Sequence, residues 1–299
     1  MLDFRIETYL TLCEEKSYTK TAQKLCITQP AVSQHIRYLE QHYGCSLVYF
    51  KGKNLYLTTQ GEELKKYALL SKADWNKVAT QLKNEEEVKR ISFGATLTIG
   101  EYVIPEILAE LIRHTDYSLL SMLVDNTETL LQKLQQGLID FAFIEGQLDK
   151  REYTTRLFSP ARFIPVCSAN HEFADRPVSF DEIFTQRLIV REIGSGTRGV
   201  LEQVLLEHNQ KIQSFPHIVE IGNLNAIKSL VEKGLGITFL YENAVAAEIR
   251  RGTLKKILLS DFEAVREFNF ICLKNSRFLE EKLDFFHRCK QIFAANFRG

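Results

Sequence analysis

A predicted helix near the start of the chain carries four polar side chains on one face. They are Gln29, Ser33, Gln34 and Arg37. The opposite face holds Val32, Ile36 and Leu39 at the spacing of buried helical residues. Glutamine amides hydrogen-bond to adenine edges, arginine binds guanine edges or phosphates, and serine contacts either. Such a face is suited to reading base pairs in a major groove, although a helical hairpin with an ordinary polar surface would show the same periodicity.

Two lysines follow between apolar runs. The runs 47–50 and 55–57 have strand-like composition, and the Lys-Gly-Lys-Asn segment between them predicts a hairpin. Lys51 and Lys53 at its tip would bind phosphate oxygens of nucleic acid. The local charge supports this weakly, because residues 1–90 hold 14 lysines and arginines against 11 acidic residues.

The elements that position these groups are predicted from periodicity. A short helix, a tight turn and a second helix, which begins at Thr28 and ends before Gly44, indicate a helix–turn–helix motif over residues 18–37. After the hairpin, Thr59 and Glu62 predict a capping box that begins a long helix. Its apolar residues repeat every 3.5 positions on average, which predicts a dimerising coiled-coil seam. The seam comprises Leu64, Ala68, Ser71, Trp75, Val78 and Leu82.

The composition is that of a globular protein with more than one domain. The chain has 299 residues, of which 45% are hydrophobic and 25% charged, and its formal net charge is zero. These values exclude a largely disordered chain and predict two domains or three small ones. Charges interrupt the N-terminus and the apolar runs, so we expect no signal peptide and no transmembrane helix. The six scattered cysteines include no CxxC pair and the seven histidines no metal-ligand spacing, which favours a cytoplasmic protein with reduced thiols and no metal or resident cofactor.

From residue 90 the pattern changes to strands alternating with helices, after a charged boundary at residues 83–90. This alternation predicts a parallel α/β fold, and its repetition predicts two similar lobes. In open α/β sheets, ligands bind beyond the carboxyl ends of strands, where helix N-termini present free amides. Three segments are expected at such positions, namely 94–98, 125–127 and 194–198.

These segments supply the candidate ligand-binding residues. They are Thr96, Thr98, Asn126, Thr127, Ser195, Gly196, Thr197 and Arg198, with Asn223 at a further helix start. Hydroxyls, helix-end amides and an arginine favour a small anion, such as a carboxylate, sulfate or phosphate ester. Helix capping by each hydroxyl and a structural ion pair of Arg198 are the competing explanations.

The segment 194–199 also has the pattern of a dinucleotide-binding loop. Gly194, Gly196 and Gly199 form a GxGxxG motif between a predicted strand and a predicted helix, and Glu220 ends the next strand. An NAD(P)-dependent oxidoreductase that uses this loop is therefore an alternative from another functional class. Against it, the motif arises easily in a chain with 15 glycines and does not follow the first strand of a domain.

The N-terminal segment resembles the DNA-binding domain of LysR-type transcriptional regulators. The matching residues lie at fixed offsets and are Ser17, Thr19, Ala22, Leu25, Thr28, Gln29, Pro30, Ala31, Val32, Ser33, Leu39, Glu40, Gly44, Leu47, Leu57, Thr58 and Gly61. The resemblance implies a winged helix–turn–helix domain at residues 1–58 and a dimerising linker helix at 59–89. It also implies an effector-binding domain at 90–299, built as two Rossmann-like lobes of the periplasmic-binding-protein type.

The resemblance assigns roles to these segments. It implies one lobe from residues 90–160 and 266–299 and a second from 161–265, with a small-molecule co-inducer between them. The DNA-contacting set then comprises Thr28, Gln29, Pro30, Ser33, Gln34, Arg37, Lys51 and Lys53. The expected partners are double-stranded promoter DNA, a small anionic effector, further copies of the chain in a homodimer or homotetramer, and RNA polymerase, with no membrane. A ligand-sensing protein that makes no DNA contact is a third hypothesis.

Four positions depart from the family pattern. Thr21 stands where the first helix of the motif has alanine, Val48 where phenylalanine is usual, and Lys53 in place of the second wing arginine. Phe50 replaces the first wing arginine and so removes one fixed charge from the expected phosphate contacts. We expect Lys51, next to it, to take over that contact.

Overall fold

The described residues form two compact units, one from most of residues 3–82 and one from most of the residues after 90. The computed structural model describes residues 3–82, 90–115, 117, 119–146, 153–260, 262–274, 276 and 278–296. Within these ranges no helix is long and apolar enough to cross a membrane. The boundary predicted at 83–90 lies, apart from Arg90, outside the described residues.

The N-terminal unit is a helical core followed by a hairpin and a long helix. Apolar residues at helical spacing bury one side of each core helix, and Tyr9, Leu12, Val32 and Ile36 are almost inaccessible to solvent. The elements are α1 (Phe4–Glu15), α2 (Tyr18–Lys24), α3 (Gln29–Tyr43), β1 (Val48–Lys51), β2 (Asn54–Leu57) and α4 (Thr59–Leu82). The short helix, the turn, the second helix and the hairpin are thus all present as predicted.

Thr58, rather than Thr59, caps the long helix. Its Oγ1 accepts a hydrogen bond from the backbone N–H of Gly61 at 2.9 Å. The predicted capping box of Thr59 and Glu62 is therefore wrong by one residue. A Cβ atom at Gly61 would overlap the carbonyl oxygen of Leu47, so this position requires glycine where α4 begins beside the hairpin.

The predicted seam on α4 divides into two halves. Ala68 is buried, and Leu64 packs beside it in the core of the N-terminal unit. Further along the helix, Trp75 is 48% exposed and Leu82 is 79% exposed. The first half of the seam packs against the core of the N-terminal unit. The second half, near Trp75 and Leu82, is exposed and is therefore the part that a second copy of the chain can contact.

The second unit alternates strands and helices. In its first part lie β3 (Arg90–Thr96), α5 (Leu97–Tyr102), α6 (Ile104–His114), β4 (Leu119–Asp125), α7 (Thr127–Gln135), β5 (Phe141–Glu145) and β6 (Tyr153–Ser168). After these come β7 (Pro177–Val178), β8 (Arg187–Val190), α8 (Gly196–Glu207), β9 (His217–Glu220), α9 (Leu224–Glu232) and β10 (Thr238–Tyr241). The chain continues with α10 (Glu242–Arg251), β11 (Leu254–Lys256), β12 (Leu258–Leu259), β13 (Ala264–Leu273) and α11 (Leu279–Asn296).

Two long strands connect the two lobes of this unit. The main sheet has the order β10-β6-β13-β5-β3-β4, and β11 also pairs with β6. β3 is parallel to β4 and β5, whereas β13 is antiparallel to β5 and β6. In the second lobe β8 is parallel to β9, and a bridge from Leu188 to Ile237 joins them to the start of β10. The result is the predicted α/β class with two lobes, which share the long strands β6 and β13. The main sheet is mixed, however, so the expectation of a parallel sheet is wrong for the strands that pair with β6 and β13.

Aromatic side chains pack the C-terminal helix, α11, against the strands of the first lobe. The rings of Phe93, Phe141 and Phe285 lie with centroids 5.2 to 5.5 Å apart. These side chains come from β3, β5 and α11, and all three are buried. Their burial holds α11 against strands that precede it by more than a hundred residues.

Two boundaries differ from the sequence prediction. The loop expected at 94–98 is absent, because β3 continues to Thr96 and α5 begins at Leu97. β6 runs from Tyr153 to Ser168, across the lobe boundary expected between residues 160 and 161, and is long enough to extend from one lobe to the other. Polar residues and Pro160 obscure the first half of this strand in the sequence, whereas pairing with β13 supplies its backbone hydrogen bonds.

We expect the chain to dimerise through α4, and Trp75→Lys combined with Leu82→Lys to prevent this, because two charges would be buried in the exposed half of the seam. Light scattering of the full chain should then report the mass of one chain, 34.5 kDa. Glu63→Lys places the same charge at an exposed position of α4 off the seam and should leave the mass unchanged. An unaltered mass in the double variant would contradict dimerisation through α4.

Candidate functional site

The outward face of α3 presents the predicted base-reading side chains. Gln29, Gln34 and Arg37 are exposed, whereas Ser33 is half-buried. Nε2 of Gln29 donates a hydrogen bond to Oγ of Ser33 at 3.0 Å, which orients the glutamine. Two amides and a guanidinium therefore project from one helical face, in an arrangement able to contact base edges.

Thr28 and Pro30 shape the start of α3. Oγ1 of Thr28 accepts a hydrogen bond from the N–H of Ala31 at 3.3 Å and so caps the helix. Pro30 lies in the first turn, where its missing N–H leaves no helical hydrogen bond unmade. Both residues have a local structural role, and a direct DNA contact by either remains a prediction.

β1 and β2 form the predicted wing. Gly52 has φ 65° in a two-residue turn with Lys53, as a type II′ hairpin requires. Lys51 and Lys53 are exposed at the tip. Oε1 of Glu40 accepts a hydrogen bond from the N–H of Leu47 at 2.8 Å and ties the hairpin to α3. The hairpin that carries Lys51 and Lys53 is therefore held in a fixed position relative to α3.

The predicted ligand-binding segments converge at the junction of the two lobes. Oγ1 of Thr197, on α8, hydrogen-bonds to Oε1 of Glu145, on β5. Oγ1 of Thr127 donates to the Glu145 carbonyl oxygen at 3.3 Å. Thr96 and Thr98 lie close enough to the same carboxyl to influence its ionisation. Tertiary structure thus gathers residues from all three segments around one side chain.

Further hydrogen bonds cross the rim of this junction. The N–H of Glu128 donates to the carbonyl oxygen of Gly194 at 3.3 Å. Nδ2 of Asn126 donates to Oε1 of Glu192 at 3.4 Å. Both bonds run from the start of α7 in the first lobe to the segment before α8 in the second. They hold the lobes together on one side of Glu145.

Glu145 is a functional candidate that the sequence reading missed. It ends β5, is 1% exposed, and its Oε2 has no hydrogen-bond partner within the described ranges. Burial raises the pKa of this carboxyl, against the opposing effects of the Thr197 and Thr98 hydroxyls and the Arg191 charge. A raised pKa favours the protonated form, which can donate a hydrogen bond. The sequence feature that could have identified Glu145 is its position as a single carboxylate at the end of an otherwise apolar strand.

Arg191 is the second buried charged residue that the sequence reading missed. It is 2% exposed, and its Nε and Nη2 donate to the carboxylate of Glu192 at 2.7 and 2.8 Å. Although burial alone would raise it, these bonds hold the pKa of Glu192 below its ordinary value. Nη1 of Arg191 has no partner in the described part of the chain. The Arg191–Glu192 pair therefore carries no net charge, and Nη1 of Arg191 can still donate a hydrogen bond to an acceptor.

Helix capping does not explain the hydroxyls at this junction. Thr96 and Ser195 directly precede α5 and α8, yet neither side chain makes a capping hydrogen bond. Among the described residues, the hydroxyl oxygens of Thr96, Thr98, Ser195 and Tyr241 make no hydrogen bond of good geometry, although Thr96 and Thr98 lie near the Glu145 carboxyl. Burial raises the pKa of Tyr241 well above its ordinary value, so this phenol remains protonated. These buried groups are therefore able to donate hydrogen bonds to a ligand or accept them from it.

Three other predicted ligand-binding residues already have structural partners. Asn126 and Asn223 each accept a backbone hydrogen bond at 2.9 Å at the start of a helix. Arg198 forms ion pairs with Glu202 at 2.9 Å and with Glu220 at 2.5 Å. The competing explanations, helix capping and a structural ion pair, therefore account for these side chains, and ligand contact by them remains a prediction.

The glycines of the GxGxxG motif have separate steric reasons. A Cβ atom at Gly194, which has φ 88°, would lie 2.7 Å from Oε2 of Glu128. A Cβ atom at Gly196 would lie 2.6 Å from Oγ1 of Thr127. No described atom lies within 4 Å of the position that a Cβ would take at Gly199. The first two glycines permit the lobes to meet, and the third lacks the close helix–strand packing of a dinucleotide-binding loop.

Together these features define a DNA-binding protein with a ligand-binding domain. A helix–turn–helix with an exposed polar face occupies the N-terminal unit, and unpartnered polar groups face the lobe junction of the second unit. The family model "Bacterial regulatory helix-turn-helix protein, lysR family" matches residues 5–62, and the model "LysR substrate binding domain" matches residues 84–291. The chain belongs to the LysR-type family of transcriptional regulators.

Two relatives and a solved structure agree with this assignment. The chain is 30% identical to the transcriptional regulator YeiE of Escherichia coli over 257 residues, which cover 85% of each protein. It is 26% identical to the regulator CysL of Bacillus subtilis over 269 residues, or 89% of each. The regulatory domain of Synechocystis CcmR, solved in complex with 2-PG, superposes with a TM-score of 0.62 at 20% identity, covering 69% of this chain and 97% of that one. These relatives give no support to the oxidoreductase alternative.

We expect Gly196→Ala to destabilise the second unit by about 1–3 kcal/mol, because the new Cβ would force the lobes apart. Gly199→Ala is the matched control in the same helix and should stabilise it by about 0.5–1 kcal/mol, since alanine favours the helix and meets no obstacle there. Urea unfolding of both variants measures the difference. Equal effects of the two substitutions would show that close approach of the lobes does not require Gly196.

Proposed function

We propose that this regulator is controlled by a small oxyanion bound between the two lobes of its second unit. The observation that carries the proposal is the group of buried polar atoms without partners on both sides of the junction. The first lobe contributes Thr96, Thr98 and Oε2 of Glu145, and the second contributes Nη1 of Arg191 and the Ser195 hydroxyl. Folded proteins leave few buried polar atoms unpaired, so a cluster of them supports a site whose ligand supplies the missing partners.

The chemistry of these atoms favours an acceptor-rich ligand. A guanidinium nitrogen only donates hydrogen bonds, and hydroxyls donate as well as accept. The first amides of α8, beginning at Gly196, are also donors without helical partners of their own. An oxyanion such as sulfate, phosphate or a carboxylate satisfies such donors from several directions. The CcmR domain solved with 2-PG provides a precedent for a small ligand in this fold.

The Glu145 carboxyl restricts the ligand further. When ionised, it would repel an anion and would itself be a buried charge without a complete set of partners. When protonated, it adds a hydrogen-bond donor to the same cluster. Burial raises its pKa and so favours this second state. We therefore assign Glu145 the role of a proton-dependent donor to the ligand.

Ligand binding then acts on transcription through linkage. A ligand that contacts both lobes binds the closed arrangement more tightly than an open one and shifts the population toward closure. In the proposed assembly, two chains pair through α4, dimers form a tetramer on promoter DNA in the cytoplasm, and RNA polymerase is a further partner. Base contacts come from Gln29, Ser33, Gln34 and Arg37, and phosphate contacts from Lys51 and Lys53.

We expect Thr96→Val and Ser195→Ala each to weaken oxyanion binding by about tenfold or more, because each removes one hydrogen bond to a charged ligand. Isothermal titration of the full chain with sulfate, phosphate and acetate would identify the anion and then compare the variants. Thr185→Val removes an exposed hydroxyl away from the junction and is the control. If neither substitution changed the dissociation constant, the result would contradict an oxyanion site at this junction.

The affinity for an anion of constant charge, such as sulfate, should fall as the pH rises through the pKa of Glu145. Anion binding requires the protonated carboxyl, so the loss should approach about tenfold per pH unit above that pKa. Glu145→Gln retains a donor but cannot ionise, and its affinity should not follow pH in this way. Glu182→Gln, at an exposed ion pair with Arg176, should keep the wild-type profile. Identical pH profiles for wild type and Glu145→Gln would contradict the proton-dependent role.

A further inference from the structure

The wing exposes an aromatic ring beside its tip. Phe50, on β1, is 60% exposed, although it stands across the hairpin from Leu55, which is buried in the core of the N-terminal unit. Lys51 and Lys53 follow it and are exposed as well. An exposed ring with two cations beside it is complementary to a partner that offers apolar surface and negative charge together.

Local contacts fix the position of this ring. Phe50 stacks on Tyr18, the first residue of α2, with the ring centroids 6.2 Å apart and the planes 23° from parallel. On the opposite face of the hairpin, Tyr49 and Tyr56 stack on each other at 5.7 Å. Phe50 therefore faces the helix–turn–helix, whereas Tyr49 faces away from it. This contact keeps the exposed edge of Phe50 on the same side of the hairpin as the helices of the motif.

We propose that Phe50 is a DNA-contacting residue of the wing, with its ring packed against sugars and base edges in the minor groove beside the major groove that α3 occupies. A recognition helix fills a major groove, so an adjoining element of the same domain meets the backbone and the neighbouring minor groove. Apolar side chains are used in minor grooves to contact or wedge between base steps. Lys51 and Lys53 pair with the phosphates on either side. This inference rests on the DNA-binding family and is independent of the effector proposal.

The proposal predicts a particular salt dependence. Each cation that neutralises a phosphate releases counterions and steepens the decline of affinity with salt. A phenylalanine ring releases none, so its contribution to affinity is the same at every salt concentration. An arginine at this position would contribute mainly at low salt. The salt slope therefore distinguishes an apolar contact from an ionic one at residue 50.

The test uses the full chain and a duplex that it selects from a random pool, with binding followed by fluorescence anisotropy across a salt series. Phe50→Ala should weaken binding by about tenfold at every salt concentration without a change of slope. Phe50→Arg should bind well at low salt and steepen the slope by about 0.9. Tyr49→Ala removes the neighbouring exposed ring from the other face and should bind as the wild type does.

Three results would overturn the proposal. One is wild-type affinity in Phe50→Ala. Another is an equal loss in Tyr49→Ala, which would indicate a general effect on the hairpin. The third is an unchanged slope in Phe50→Arg, which also decides the question if the alanine variant fails to fold by circular dichroism. Arg37→Ala, on the recognition face, should weaken binding in every case and shows that the selected duplex engages α3.

Discussion

The contact between Thr197 and the buried Glu145 carboxyl joins the two lobes of the second unit, and much of the surrounding structure depends on it. A carboxyl that is removed from water must be neutralised, paired or hydrogen-bonded, because an isolated buried charge is strongly unfavourable. Burial raises its pKa, and Thr197 supplies one hydrogen bond. Glycine at 194 and 196 lets the two backbones approach closely enough for that bond to form. Oε2 of this carboxyl has no hydrogen-bond partner among the described residues, which is one reason to propose a ligand-binding site at the junction.

The charges around this carboxyl are arranged so that the junction is not strongly electropositive. Arg191 is balanced by Glu192, and Arg198 is held by Glu202 and Glu220. The proposed site would bind an anion chiefly through directed hydrogen bonds and less through net charge. Its selectivity then depends on the number and position of acceptor atoms in the ligand. In this proposal the protonation state of Glu145 also affects selectivity, because ionisation would replace a hydrogen-bond donor with a charge that repels an anion.

The N-terminal unit solves a different problem, since its functional side chains must remain exposed. Burial of Val32 and Ile36 determines which face of α3 points outward. The Glu40 carboxylate on α3 accepts a hydrogen bond from the Leu47 N–H just before the hairpin. The Thr58 hydroxyl, at the start of α4, donates to the carbonyl oxygen of Ser46 in the same segment. Many residues of the family motif thus have a structural role in this framework. Phe50 departs from the motif without disturbing this framework, because it lies at the exposed end of the hairpin.

The helix–turn–helix, the wing and the alternation of the two lobes could be predicted because their signals lie within a few residues along the chain. Caps, turns and helical spacing are local, and the resemblance to a family added the role of each segment. The sequence by itself also identified the hydroxyl-bearing helix starts. Only the tertiary structure decided which of those groups are already paired, as Arg198 is, and which stay buried without partners, as Thr96 and Ser195 do. Burial and hydrogen-bond saturation depend on residues far apart in the chain, such as Glu145 and Thr197, and local sequence carries no measure of that proximity.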